Sequence, residues 1–176
     1  MAQAKRKKRF FDVEIPLLKK ETQLQAYEIE ELNRRFLSYD LTRLLRGKNI
    51  LAQFRVEVKD SKAEAFPIGL KLLPSFLRRM IRKGTHQVDD SFIAETKNGK
   101  VIMKPFLITR RKVARKIRTN LRNKAKEELL AYAKEKTSEK ILEDILKNSL
   151  QKELSLKLKK IYPLSLCEIR IFKIKQ

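Results

Sequence analysis

The sequence predicts an α+β fold: a β-rich, barrel-like N-terminal half, then a long basic helix and further helices, then a C-terminal strand returning to the sheet. Three observations predict it. Apolar and polar residues alternate with a period of two through much of residues 10–108, the period turns helical from Thr109 to about Lys160, and alternation resumes in "LSLCEIRIFKIK". A strand at the end of the chain needs partners for its backbone groups, and only the first half offers a sheet to join. The expected organisation is a disordered basic arm over residues 1–9 and a single α+β domain over 10–176. That domain divides into a β-rich part with one short helix (10–108), a helical part (109–160) and the returning strand (161–176).

Each element has its own signal. "FFDVEIP" alternates towards Pro16 and reads as a first strand. The next segment, "KETQLQAYEIEELNRRFLSYDLTRLL", is ambiguous: its Glu-rich half suits a helix, whereas "RFLSY" suits a strand. "NILAQFRVEVKD" places Ile50, Ala52, Phe54, Val56 and Val58 on one face, the pattern of a half-buried strand. "AEAFPIGLKLL" reads as another strand, with Pro67 pointing to an edge position. Pro74-Ser75 opens a short helix that Gly84 stops. Asn98-Gly99 lies between alternating runs, which marks a tight hairpin. No internal repeat is visible.

Charge is the abnormal property. Forty-three basic residues stand against 21 acidic ones, giving a formal charge of +22, while the apolar fraction of 42% is that of an ordinary globular chain. Such a surplus attracts phosphate-rich partners. An anionic membrane is the other class of partner, but the sequence shows no lipidation signal, no long apolar stretch and no secretory apolar core after "KRKKR". Cys167 is the only cysteine and His86 the only histidine, so an internal disulfide and Cys/His metal clusters are excluded and a reducing, cytosolic compartment fits. The four scattered glycines form neither a dinucleotide fingerprint nor a phosphate-binding loop. No cofactor, metal or small-molecule substrate is expected.

The basic residues are concentrated. Nothing between Glu95 and Glu127 is acidic, and "TRRKVARKIRTNLRNKAK" (109–126) carries nine Lys or Arg in 18 positions. On a helix, Arg111, Arg115, Arg118 and Arg122 form one stripe, and Val113, Ile117, Leu121 and Ala125 form another roughly a third of a turn away. The apolar stripe suits docking on the sheet, and the guanidinium stripe suits a sugar-phosphate backbone. A solvated face is the competing reading. Solvated helices interleave Glu with Lys, however, and this chain does so only after Glu127, in "KAKEELLAYAKEKTSEK". The nucleic-acid candidates are therefore Arg110, Arg111, Lys112, Arg115, Lys116, Arg118 and Arg122, with Arg78, Arg79, Arg82 and Lys83 after the short helix and Lys5, Arg6, Lys7, Lys8 and Arg9 in the arm. Phe10, Phe11, Phe76 and Tyr162 lie near basic residues but read mostly as core, so grip on backbone and shape is expected rather than base readout. Asp89-Asp90 beside His86 is the only constellation that invites a catalytic or metal reading, and turns and strand starts commonly look the same. His86 itself reads as a surface or RNA-facing residue, and Cys167 as a small buried hydrophobe.

With these residues laid out, the chain resembles the archaeal and eukaryotic small-ribosomal-subunit protein family eS-one, also called S-three-a-e. Three stretches carry the resemblance: "SFLRRMIRKGTHQVDDSFIAETKNGKVIMKPFLITRR", "IRTNLRNKAKEELLAYA", and "LKNSLQKELSLKLKKIYPLSLCEIRIFKIK" with its Ile161–Leu164 turn. "FFDVEIP" also looks like the family's first strand. The resemblance covers most of residues 10–176, and it is weak over 17–75. The chain is short, lacks the basic C-terminal extension of eukaryotic members and has Lys97-Asn98-Gly99 where an Asp-Gly is common, and these departures imply an archaeal-type member as the expectation. The resemblance implies a non-enzymatic protein of the small-subunit platform, close to the mRNA exit region. Its implied partners are rRNA, neighbouring small-subunit proteins and mRNA near the exit. It implies RNA contact for residues 110–122 and for the arm at 5–9. A non-ribosomal RNA- or DNA-binding regulator is the alternative.

Overall fold

A computed structural model describes residues 7–45, 47–59 and 62–175, which form nine strands and four α-helices. The chain divides into two compact units, residues 1–39 with 52–68, and residues 40–51 with 69–176. An α+β, β-rich architecture is what the periodicities predicted.

In the first unit, β1 (Arg9–Ile15) and β2 (Lys20–Ala26) form an antiparallel hairpin. The 3-10 turn Pro16–Leu18 joins them, and Lys19 takes a left-handed conformation (φ 50°). The Glu-rich segment thus begins as a strand. Its Thr22, Leu24 and Ala26 face inward while Glu21, Gln23 and Gln25 face solvent, so tertiary pairing overrides helix propensity. Only a 3-10 turn, Ile29–Leu32, remains of the helix option, and "RFLSY" does form a strand, β3 (Phe36–Asp40). β3 pairs with β4 (Ile50–Lys59), which pairs in turn with β5 (Lys62–Leu72). As its alternation predicts, β4 buries Ala52, Phe54 and Val56.

β5 corrects one expectation. It runs unbroken through Pro67 and is an interior strand, not an edge. Pro67 falls between two registers, Ala63–Glu64 beside β1 and Gly69–Lys71 beside β9, so its missing N–H interrupts neither ladder.

The second unit is built on a long antiparallel pair, β8 (Gly99–Thr109) and β9 (Leu164–Lys175). The C-terminal strand returns as predicted and also pairs with the end of β5. That approach is close: a Cβ at Gly69 would lie 2.5 Å from the Phe172 carbonyl oxygen, which only glycine avoids. On its other side β8 carries two short partners, β6 (Gln87–Asp89) at the Thr109 end and β7 (Phe92–Thr96) at the hairpin end. The hairpin loop is Lys97-Asn98, with Gly99 supplying the positive φ of 133°, one residue earlier than the sequence reading centred it. In β9 the register jumps from Lys104↔Ile171 to Pro105↔Ile169, leaving Arg170 as the extra residue. The bulge breaks the expected two-face alternation, so Ile169 and Phe172 are both buried.

The helices differ from expectation at their ends. α1 spans Pro74–Met80 and stops before Gly84, so Arg82 and Lys83 sit in the following turn. α2 spans Arg115–Glu135 and not 109 onward; α3 (Ser138–Leu146) and α4 (Ser149–Lys159) complete the helical stretch. α2 lies over β6 and β7, and α4 over β9.

A polar clasp ties α2 to its successors. Asp144 Oδ2 accepts hydrogen bonds from Tyr132 (2.6 Å) and Lys136 (2.7 Å), and Ser149 donates to Oδ1 at 3.2 Å. Burial by itself would raise the Asp144 pKa, but the bonds from Lys136 and Tyr132 outweigh it and hold the carboxyl below the usual range. Glu128 is lowered too, by hydrogen bonds from Lys157 and Lys124. Carboxyls depressed in the folded state stabilise it above their unfolded pKa, and that stability is lost as pH falls through the folded value. The thermal midpoint should therefore drop below about pH 4. Calorimetry of Asp144→Asn should show a lower midpoint at pH 7 and a shallower acid limb; an unaltered acid limb would count against the clasp.

Candidate nucleic-acid interface

β8 ends at Thr109, beside the start of β6 and the start of β9. Three chain crossings therefore meet at one end of this sheet. Arg82 and Lys83 lead into β6, Arg110–Lys112 leave β8, and Lys159–Pro163 lead into β9. Hydrogen bonds hold them together. Thr109 N–H donates to the His86 carbonyl at 2.9 Å, His86 N–H donates to the Thr109 hydroxyl at 3.0 Å, and that hydroxyl donates to the Arg111 carbonyl at 2.7 Å. Val113 N–H donates to His86 Nδ1 at 3.0 Å, and Arg110 N–H to the Pro163 carbonyl at 3.4 Å. His86, expected as a surface or RNA-facing residue, is thus engaged inside the fold.

The basic side chains at this sheet end point to solvent: Arg82, Lys83, Arg110, Arg111, Lys112, Arg115, Lys116, Lys159 and Lys160 are all exposed. Among the described residues, none of the nine lies within ion-pair distance of a carboxylate. Further along α2 the picture reverses: Lys124 pairs with Glu127 and Glu128, and Lys157 of α4 with Glu128. The nearest acids on the sheet are also engaged. Asp89 meets Arg170 at 3.5 Å, and Glu168 meets Lys48 at 2.5 Å. Positive potential thus accumulates at this end without internal neutralisation.

The arginine stripe is only partly as expected. Arg115 and Arg122 are exposed on α2, and Leu121 and Ala125 are buried beneath them. Arg118 is half-buried, with its Nε enclosed, and Arg111 precedes the helix. Of the α1 pair, Arg78 is exposed, while Arg79 lies 5.6 Å over the Phe76 ring and reaches the Gly47 carbonyl at 3.4 Å. Lys5 and Arg6 fall outside the described residues. Lys7, Lys8 and Arg9 are exposed in the first unit, where Arg9 already belongs to β1 and Lys8 sits 5.6 Å over the Tyr27 ring. Of the aromatic candidates, Phe76 is core, whereas Phe10 is 63% exposed.

Lys159 and Lys160 escaped the sequence reading. Their signal is an acid-free interval, 154–167, shorter than those at 41–56, 65–88 and 96–126. Asp89 and Asp90 are occupied structurally, Asp89 by Arg170 and Asp90 by the Ser91 N–H at 2.8 Å. Among the described residues no group of His, Cys, Asp or Glu is placed to hold a metal ion, and no helix is long and apolar enough to cross a membrane. Burial pushes the Cys167 thiol up to about 12, helped by the Glu168 carboxylate, which fits an inert side chain.

The chain is similar to curated archaeal proteins named small ribosomal subunit protein eS1. It is 33% identical to that of Methanothermobacter thermautotrophicus over 132 residues, covering 74% of this chain and 68% of the relative. It is 27% identical to that of Nanoarchaeum equitans over 177 residues (95% and 88%), and 31% identical to that of Pyrobaculum aerophilum over 157 residues (86% and 71%). The model of the Ribosomal S3Ae family matches residues 2–176. With that match over nearly its whole length, the chain belongs to the Ribosomal S3Ae family.

Proposed function

We propose that the chain holds small-subunit rRNA against the basic end of the β6–β8–β9 sheet, on the platform near the mRNA exit region. The coarser role follows from the family: a structural, non-enzymatic constituent of the small ribosomal subunit, located at the ribosome in the cytoplasm. The finer reading rests on one observation, the meeting of three acid-free segments whose nine exposed cations have no partner among the described residues. Guanidinium and ammonium groups in such a cluster match phosphate oxygens, and among the described residues the large exposed aromatics, Phe10, Tyr27 and Phe36, belong to the first unit. Neighbouring small-subunit proteins would complete its surroundings, with mRNA near the exit as a further contact.

Titration of the purified chain with small-subunit rRNA across a salt series tests this. Six or more phosphate contacts give a log–log slope steeper than about −4. A slope near zero would overturn the phosphate-grip reading. Gradient sedimentation of lysate separates the ribosomal role from that of a free regulator, since a regulator would stay near the top.

A further inference from the structure

We infer that His86 is the positioning residue of this basic face, holding residues 110–114 as a non-helical strap, bent at Arg110 and Arg111, and denying them to α2. Its consequence for RNA rests on the rRNA reading above; its structural half does not.

Local preference opposes the observed conformation. The strap, "RRKVA", contains neither Gly nor Pro, and Arg, Lys and Ala rank among the best helix formers. Thr109 just before it is a suitable N-cap. A helix begun there would start five residues upstream of Arg115, yet Ala114 is extended (φ −63°, ψ 155°) and α2 begins without a side-chain cap. Tertiary hydrogen bonds account for this. In the longer helix, Val113 N–H would bond the Thr109 carbonyl, and the Thr109 hydroxyl would accept from Arg111 or Lys112. Instead Val113 N–H goes to His86 Nδ1 at 3.0 Å, and the hydroxyl accepts from His86 N–H while donating to the Arg111 carbonyl. An Nδ1 that accepts carries no proton, so the neutral ring bears its hydrogen on Nε2.

The latch changes where the cations sit. The strap keeps Arg110 bonded to the Pro163 carbonyl, beside Lys159 and Lys160. Freed from His86, the same cations would coil onto α2 and leave the other two crossings.

Three proteins test it: wild type, His86→Ala and His86→Asn, whose Oδ1 lies two bonds from Cβ, as Nδ1 does, and also accepts. His86→Ala should shift residues 110–114 to helical chemical shifts. It should weaken binding to a small-subunit rRNA transcript by about three- to tenfold without displacing the cooperative melt. His86→Asn should reverse both changes. Unchanged chemical shifts at residues 110–114 in His86→Ala would overturn the latch whether or not RNA binds. A lost latch with unchanged RNA affinity would overturn the positioning role. Failure of the wild type to bind RNA would overturn the rRNA reading and leave the strap standing. Should His86→Ala not fold, a scalar coupling across the hydrogen bond between the Val113 amide nitrogen and His86 Nδ1 tests the contact in the wild type, and its absence overturns the proposal.

Discussion

Lys48→Met should cost the chain about 3–5 kcal/mol. Lys48 and Glu168 pair at 2.5 Å with side chains only 11% and 12% exposed. Lys48 also donates to Asn148 Oδ1 at 2.6 Å, so one ammonium joins the loop before β4, the α3–α4 junction and β9. Removing it leaves a buried carboxylate with, among the described residues, Gln151 Nε2 as its remaining hydrogen-bond donor, at 3.4 Å. The desolvation already incurred by Glu168 is then uncompensated. The loss is a large share of the roughly 5–15 kcal/mol that typical domains possess. A double variant, Lys48→Met with Glu168→Leu, removes both charges and should recover much of the loss, because apolar pairs replace buried ion pairs at small or even negative cost. Urea denaturation of the wild type, both singles and the double completes the cycle. A Lys48→Met loss below about 1 kcal/mol would show that water screens the pair.

The second large effect concerns RNA. Replacing Arg110, Arg111, Lys112, Lys159 and Lys160 with Ala removes five charges from the sheet end. If each grips one phosphate, the salt slope should flatten by about 3.5–4.5, and affinity near physiological salt should fall by at least about a hundredfold. The control removes equal charge elsewhere, at Lys97, Lys134, Lys140, Lys147 and Lys152, and should change the slope by less than about 1. Equal losses in both variants would mean that net charge alone, and not this face, does the binding. Arg118 is left out deliberately. Its side chain is half-buried with Nε enclosed, so its loss would confuse grip with stability.

Much of this was legible in one dimension. The period of two exposed β4, β8 and β9, because half-buried strands alternate. The return of glutamate at Glu127 marked where cations of α2 acquire partners in Glu127 and Glu128. What resisted reading was governed by partners distant in sequence. β2 looks helical in isolation and is a strand because β1 offers it a ladder. β5 survives Pro67 because two different neighbours take over on either side of it. Lys159 and Lys160 carry little meaning until β9 places them beside Arg110.

The sequence by itself determined composition-level physics: an α+β chain, an excess of 22 positive charges, and the intervals from which acids are excluded. Those are sums and periodicities, which need no coordinates. Tertiary structure decided which intervals meet and in what conformation. The strap at 110–114 shows why: its residues prefer helix locally, yet Val113 bonds a histidine 27 residues earlier in the chain, brought alongside by the β6–β8 pairing, and the segment stays out of the helix.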